Sequence, residues 1–169
     1  MRAFAKTDIG RARTMNQDSY TISEDIGLYI LADGMGGYNG GEIASRLAAE
    51  AAKNYIKTHL SSIQLDRESI LKLVRETMEY ANKVVYEKSR QDKALEEMGT
   101  TLEVCLCMQN KVFIGHIGDS RVYRIRKNFI RKLTTDHSYV EKLVKDGTIT
   151  RQEAFLHPKK NMLTKALRM

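Results

Sequence analysis

Three short stretches of this 169-residue chain concentrate residue types that handle phosphate and hard cations. The first is Arg13-Thr14-Met15-Asn16-Gln17-Asp18, which compresses an arginine, two amides and a carboxylate into a turn. A guanidinium is a planar fork for phosphate oxygens, and Asp18 has the right chemistry to bind a cation or hold its water. Taken alone, this stretch reads better as a polar turn with an ordinary salt bridge. The second is Ala32-Asp33-Gly34-Met35-Gly36-Gly37-Tyr38-Asn39-Gly40-Gly41-Glu42, with five glycines in the eight residues from Gly34 to Gly41. Hard divalent cations take carboxylate and backbone carbonyl oxygens, and glycine lets the chain fold close around them. The run has no Lys-Ser/Thr pair and so is no nucleotide P-loop, and it lacks the alternating acids of an EF-hand. The third, Gly115-His116-Ile117-Gly118-Asp119-Ser120-Arg121, puts a carboxylate in a tight turn. By itself that is common Asx-turn chemistry.

Each stretch sits where an element ends. Residues 2–7 and 18–23 read as short strands, and 27–33 is apolar on both faces, as a covered strand is. Residues 34–41 read as a glycine turn, with a helix from about Glu42 whose stripe is Ile43, Leu47, Ala51 and Tyr55, flanked by Ala44 and Ala48. Asp66 reads as the cap of a second long helix with a stripe of Ile70, Val74, Met78, Ala81 and Val85. After Gly99 the period falls to two. Strands over 100–108 and 111–117 join at Gln109-Asn110, and strands over 121–126 and 129–133 join at Lys127-Asn128. Asp136 is placed to cap a helix over 137–146 closed by Gly147, and Thr150 with Glu153 is spaced as a capping box. Antiparallel hairpins with helices between them predict an α+β fold in a single domain.

Composition narrows the function. Hydrophobic residues make up 42% of the chain and charged residues 29%, a globular mix. The reading is cytoplasmic and not membrane-bound, because no apolar run approaches a span and the N-terminus has no signal core. The formal charge of +7 permits nucleic acid as a partner, but the cations are dispersed, with no stacking set or binding motif among them. Such a surface equally suits acidic phosphoproteins. Cys105 and Cys107, two apart in a strand, read as packing residues. None of His59, His116, His137 and His157 is spaced as a zinc site.

Seven stretches occur in a set order: Arg-Thr-Met-Asn-Gln-Asp, Ala-Asp-Gly-Met-Gly-Gly, Glu-Ile-Ala-Ser, Met-Gly-Thr-Thr-Leu, Ile-Gly-Asp-Ser-Arg-Val-Tyr, Leu-Thr-Thr-Asp-His-Ser, and His157-Pro158 to Leu167. Together they resemble the bacterial protein phosphatase 2C family, the metal-dependent serine/threonine phosphatases, over essentially the whole chain. The resemblance implies a four-layer αββα sandwich with two Mn²⁺ or Mg²⁺ ions at one edge. It implies that Asp33 bridges both metals, that the Gly34 carbonyl binds one and that Asp18 holds a metal-bound water. Asp119 serves a third, weaker metal, and Arg13 grips the substrate phosphate. The implied reaction is hydrolysis of phosphoserine or phosphothreonine in proteins by a metal-bridging hydroxide. Substrates of a serine/threonine kinase are the implied partners.

Two departures from the family pattern stand out. Many members carry a histidine, a candidate proton donor, directly after the glycine run, where this sequence has Tyr38. The family also continues beyond Leu167 with further Asp-Gly and Asp-Asn motifs that complete the metal pair. The expectation is therefore a catalytic domain over 1–169 that lacks its last metal ligands and closing strands. As it stands it would be weakly active or inactive, and it would be open to edge pairing or a swapped dimer. The competing reading is a pseudophosphatase that binds a phosphoprotein or kinase without hydrolysis.

Overall fold

The computed structural model describes residues 2–11 and 13–168, with the backbone alone at 37–39. Its centre is one antiparallel sheet built from β1 (Asp18–Ser23), β2 (Leu28–Met35), β4 (Leu102–Met108) and β5 (Lys111–Ile117), in that spatial order. The two-residue β3 (Gly99–Thr100) extends the pairing of β2, with Gly34 opposite Thr100. A hairpin of β6 (Tyr123–Arg126) and β7 (Phe129–Lys132) forms a second, small sheet.

Period-two alternation decides which face of the main sheet is covered. Leu28, Ile30, Ala32, Leu102, Val104, Leu106 and Phe113 point to one side and are buried. Two long helices pack there, α1 (Gly37–His59) and α2 (Arg67–Gln91). Asp66 caps α2 as the sequence predicts, its Oδ1 accepting from the N–H of Glu68 at 2.9 Å and of Ser69 at 3.0 Å. Of the predicted stripe, Ile70, Val74, Ala81 and Val85 are buried, and Met78 lies against Gly115 of β5. In α1 the buried face is turned toward the small residues Ala44, Ser45, Ala48, Ala49 and Ala52. Ile43, Leu47 and Tyr55 flank it, half-buried. Alanines let the helix axis lie close to the sheet, so size as well as apolarity selects the inward face.

The outer face carries Tyr20, Ile22, Tyr29, Leu31, Glu103, Cys105 and His116. There residues 121–123, leading into β6, and residues 3–5 bound a cavity of about 300 Å³ over Tyr20, Tyr29 and Cys105. Cys105 and Cys107 are free thiols, and burial pushes Cys105 up to about 12. Two short helices follow the hairpins, α3 (Tyr139–Lys145) and α4 (Arg151–Leu156), the latter with the predicted Thr150–Glu153 capping box.

Three expectations are corrected. Residues 2–7 form no strand; Ala3 is tied instead through its N–H to Glu24 Oε1 at 2.8 Å. The glycine run is no loop: β2 continues to Met35, and α1 begins at Gly37 after a left-handed Gly36. Glycines here serve contact. A Cβ on Gly34 would fall 2.0 Å from the Gly41 carbonyl oxygen, so strand end and helix start touch backbone to backbone. Finally, Ser138 rather than Asp136 caps α3, because the Asp136 carboxylate is held by Arg121 and Lys132.

Candidate active site

The end of β2 and the start of β1 form an acidic corner. Asp18 and Asp33 are directly opposite each other in the β1–β2 register. Like charges in that position repel. The Asp33 carboxyl is half-buried, and its pKa lies above the usual aspartate range. Burial is the largest cause, then the charge of Asp18 and the hydrogen bond to it. Arg13 works in the opposite direction, and Asp119 adds to the rise. One electrostatic neighbourhood therefore contains Arg13, Asp18, Asp33 and Asp119, the four side chains singled out from sequence.

Local structure fixes each. Asp18 is held by its own turn: its N–H donates to Asn16 Oδ1 at 3.0 Å, Asn16 Nδ2 donates to Thr7 Oγ1 at 2.6 Å, and Thr7 Oγ1 donates to Asp18 Oδ2 at 3.2 Å. Gly34 is buried beside it, its N–H donating to the Gln17 carbonyl at 3.1 Å. Asp33 is locked from the other side by two threonines. Its N–H donates to Thr101 Oγ1 at 2.9 Å, and its carbonyl accepts from the Thr101 N–H at 2.9 Å and from Thr100 Oγ1 at 3.0 Å. Thr101 Oγ1 also lies 2.9 Å from Ser120 Oγ, which ties the Asp33 strand end to the Asp119 turn. Thr100, Thr101 and Ser120 carry no role in the sequence reading. Their signal was a pair of hydroxyl-bearing residues straight before an apolar strand.

The Asp119 turn is shaped by Gly118, whose φ is +113°; a Cβ there would lie 2.5 Å from that of Thr101. Next to it Asp136 receives Arg121 Nη2 at 2.6 Å, Arg121 Nε at 3.0 Å and Lys132 Nζ at 3.1 Å. The Tyr38 side chain lies outside the described residues.

The donor chemistry suits a hard divalent cation. Two opposed carboxylates, one with its pKa pushed up by the other, are relieved when a cation lies between them. The set is partial: among the described residues no three histidine, cysteine, aspartate or glutamate side chains converge tightly enough to hold a metal. Arg13, exposed beside the pair, is positioned to meet an anion. This combination can gather cations and a phosphate at one sheet edge.

The chain is similar to known proteins along most of its length. The protein phosphatase 2C family model matches residues 10–162. A serine/threonine phosphatase, stp, of Listeria monocytogenes is 38% identical over 172 residues, spanning 99% of this chain and 67% of its own length. The crystal structure of the serine/threonine phosphatase Stp1 from Staphylococcus aureus superposes with a TM-score of 0.86 at 32% identity, over 96% of this chain and 64% of that one. The catalytic domain of the serine/threonine protein phosphatase PstP, solved with two manganese ions, gives 0.81 at 32% identity, over 96% and 65%. The chain thus spans about two thirds of the length of the relatives it matches.

Proposed function

This chain belongs to the protein phosphatase 2C family, and we propose that its acidic corner is part of a metal-dependent site for hydrolysing phosphoserine and phosphothreonine in proteins. The observation that carries the reading is the opposition of Asp18 and Asp33 across β1 and β2, next to Arg13. Asp33, Asp18 and the Gly34 carbonyl are the oxygens that would hold Mn²⁺ or Mg²⁺, with Asp119 available to a further ion. When bound, such ions make a hydroxide nucleophile available near neutral pH and draw charge from phosphoryl oxygens. The rest falls to the chain's own residues. Arg13 orients the phosphate through its fork and offsets its charge. Thr100 and Thr101 fix the Asp33 backbone so that its carboxylate stays aimed at the corner. The Asn16–Thr7 bonds keep the Asp18 carboxylate turned the same way.

The substrates we propose are phosphoproteins, those of a serine/threonine kinase. We propose further that residues 1–169 form one catalytic unit whose metal set is completed by residues like those in the unmatched third of its relatives. We also propose edge pairing or a swapped dimer through β1, an edge strand of the main sheet. One observation favours a second reading, a binding module that recognises phosphoproteins without hydrolysis: the described residues alone bring together no three-ligand group.

The test is phosphate release from an aryl phosphate and a phosphothreonine peptide, with and without Mn²⁺. The chain is assayed beside Asp33→Ala and beside a hybrid carrying the unmatched part of the Listeria relative. Mn²⁺-dependent release by the hybrid that is lost in its Asp33→Ala form supports the phosphatase. Equal release by the shorter chain overturns the partial-site proposal. Phosphopeptide binding with no release from any form transfers the case to the binding module.

A further inference from the structure

Glu103 of β4 and His116 of β5 are cross-strand partners on the outer sheet face, near the acidic corner. His116 Nδ1 lies 2.5 Å from Glu103 Oε1, and His116 Nε2 lies 2.7 Å from the Thr135 carbonyl oxygen. A carbonyl only accepts, so Nε2 carries a proton. An ionised carboxylate also only accepts, so with Glu103 charged His116 is a full imidazolium. Glu103 is 4% exposed, and its Oε2 is buried with no partner among the described residues; burial raises the Glu103 pKa, and the hydrogen bond to His116 and the charge of His116 oppose that rise, which makes His116 the group that holds Glu103 ionised. Burial works against the His116 cation, but the hydrogen bonds to Glu103 and Thr135 outweigh it and raise the pKa.

His137 is stacked on that ring, with centroids 4.7 Å apart and planes 17° off parallel. The Gly118 N–H donates to His137 Nδ1 at 3.2 Å, and the His137 N–H donates to the Gly118 carbonyl at 2.7 Å. An accepting Nδ1 is unprotonated, so this imidazole is neutral. The surrounding charges agree. Burial comes first, then His116 and Lys165, in disfavouring the cation, and Asp136 opposes them. Asp136 is itself engaged by Arg121 and Lys132, which reduces its pull on either histidine.

We propose that His137 is a positioning residue whose ring nitrogen clasps the Gly118–Asp119 turn, with the Glu103–His116 pair setting the charge that the ring faces. The clasp has a stated failure mode. A proton on His137 Nδ1 would point one N–H at another, and the turn carrying Asp119 would be released. The placement of Asp119 is thereby coupled to a proton 18 positions away in sequence, on a residue outside the proposed metal and phosphate set. Only the catalytic consequence of the clasp rests on the phosphatase reading.

The test needs no metal and no substrate. Imidazole ¹H–¹⁵N correlations and the Gly118 amide resonance are followed from pH 8 to pH 5 in the ¹⁵N-labelled 169-residue chain. The expected result is a neutral His137 protonated at Nε2, and a Gly118 amide that shifts with the midpoint of His137, which lies below that of His116. Glu103→Gln should move the His137 and Gly118 midpoints together to higher pH. His137→Asn, whose Oδ1 replaces the accepting nitrogen, should leave a Gly118 amide that no longer responds in this range. A Gly118 amide that ignores the His137 titration in the unaltered chain overturns the proposal, and this decides the matter even if a variant does not fold. A His137 midpoint unmoved by Glu103→Gln in a folded variant also overturns it. Absent phosphatase activity bears on the functional reading alone, because both measurements are made without turnover.

Discussion

Asp33 and Asp136 are the same residue in opposite circumstances. Asp136 is buried, yet its pKa lies below the ordinary range: burial raises it, but hydrogen bonds and charges from Arg121 and Lys132 more than offset that. The Asp33 pKa is raised: burial is the largest cause, the charge of Asp18 and the hydrogen bond to it add to the rise, and the opposing Arg13 is the weaker influence. One corner is electrostatically complete with the chain's own residues. The other is left short of positive charge, which a bound cation would supply. The two corners differ in whether the fold provides the counter-charge. That lack is itself a functional signal.

The largest expected effect breaks the comparison at the site. In a hybrid that hydrolyses aryl phosphate with Mn²⁺, Asp33→Asn keeps the shape and removes the charge, and turnover should fall at least about a hundredfold. A rate within threefold of the parent would put the chemistry elsewhere. Next is Asp136→Ala, which leaves Arg121 and Lys132 without their shared acceptor. Chemical denaturation should show a loss of about 2 kcal/mol. An unchanged midpoint would mean that the ion network contributes nothing net.

A smaller effect links the two regions. Thr101→Val removes the acceptor for the Asp33 N–H and the partner of Ser120 Oγ, and should cost about 1 kcal/mol. In the hybrid it should also raise the Mn²⁺ concentration needed for half-maximal rate. The smallest effect has the opposite sign. Without metal, Asp33→Asn should stabilise the chain by about 0.5 kcal/mol by ending the repulsion from Asp18, and saturating Mn²⁺ should reverse the ranking.

Acid titration separates the two carboxylates by sign. The folded pKa of Asp136 is depressed, so its stabilisation is present above the ordinary aspartate pKa and is lost as pH falls through the lowered value. The folded pKa of Asp33 is raised, so its ionised form is penalised at neutral pH, and the penalty lifts as pH falls through the raised value. Denaturation midpoints across the acid range should lose the downward limb in Asp136→Asn and the upward limb in Asp33→Asn. Identical profiles would erase the distinction.

Much of the fold was legible because its signals are local. The Asp66 cap and the Thr150–Glu153 box appear as written, and the Gln109-Asn110 turn takes φ of 51° and 61° as its residue types suggest. The misplacements share a cause in contacts between segments distant in sequence. The glycines at 37–41 continue into a helix because Gly34 and Gly41 must meet, which composition cannot reveal. Asp136 looks like a cap until Arg121, just before β6, and Lys132 of β7 reach its carboxylate. Residues 2–7 read as a strand but join no ladder, and Ala3 bonds the Glu24 side chain instead.

The candidate site divides in the same way. Sequence by itself determined the family to which the motifs belong and nominated Arg13, Asp18, Asp33 and Asp119 as candidate site residues, since motif identity and spacing are properties of the chain. Only the tertiary structure decided that Asp18 faces Asp33 in register, that Thr100 and Thr101 lock the Asp33 backbone, and that His116 and His137 stack behind the Asp119 turn. Those are through-space relations between residues 15 to 68 positions apart, from the Asp18–Asp33 pair to the Asp33–Thr101 bond. Coulomb energies and hydrogen bonds depend on separation in space, which the order of residues along a chain does not contain.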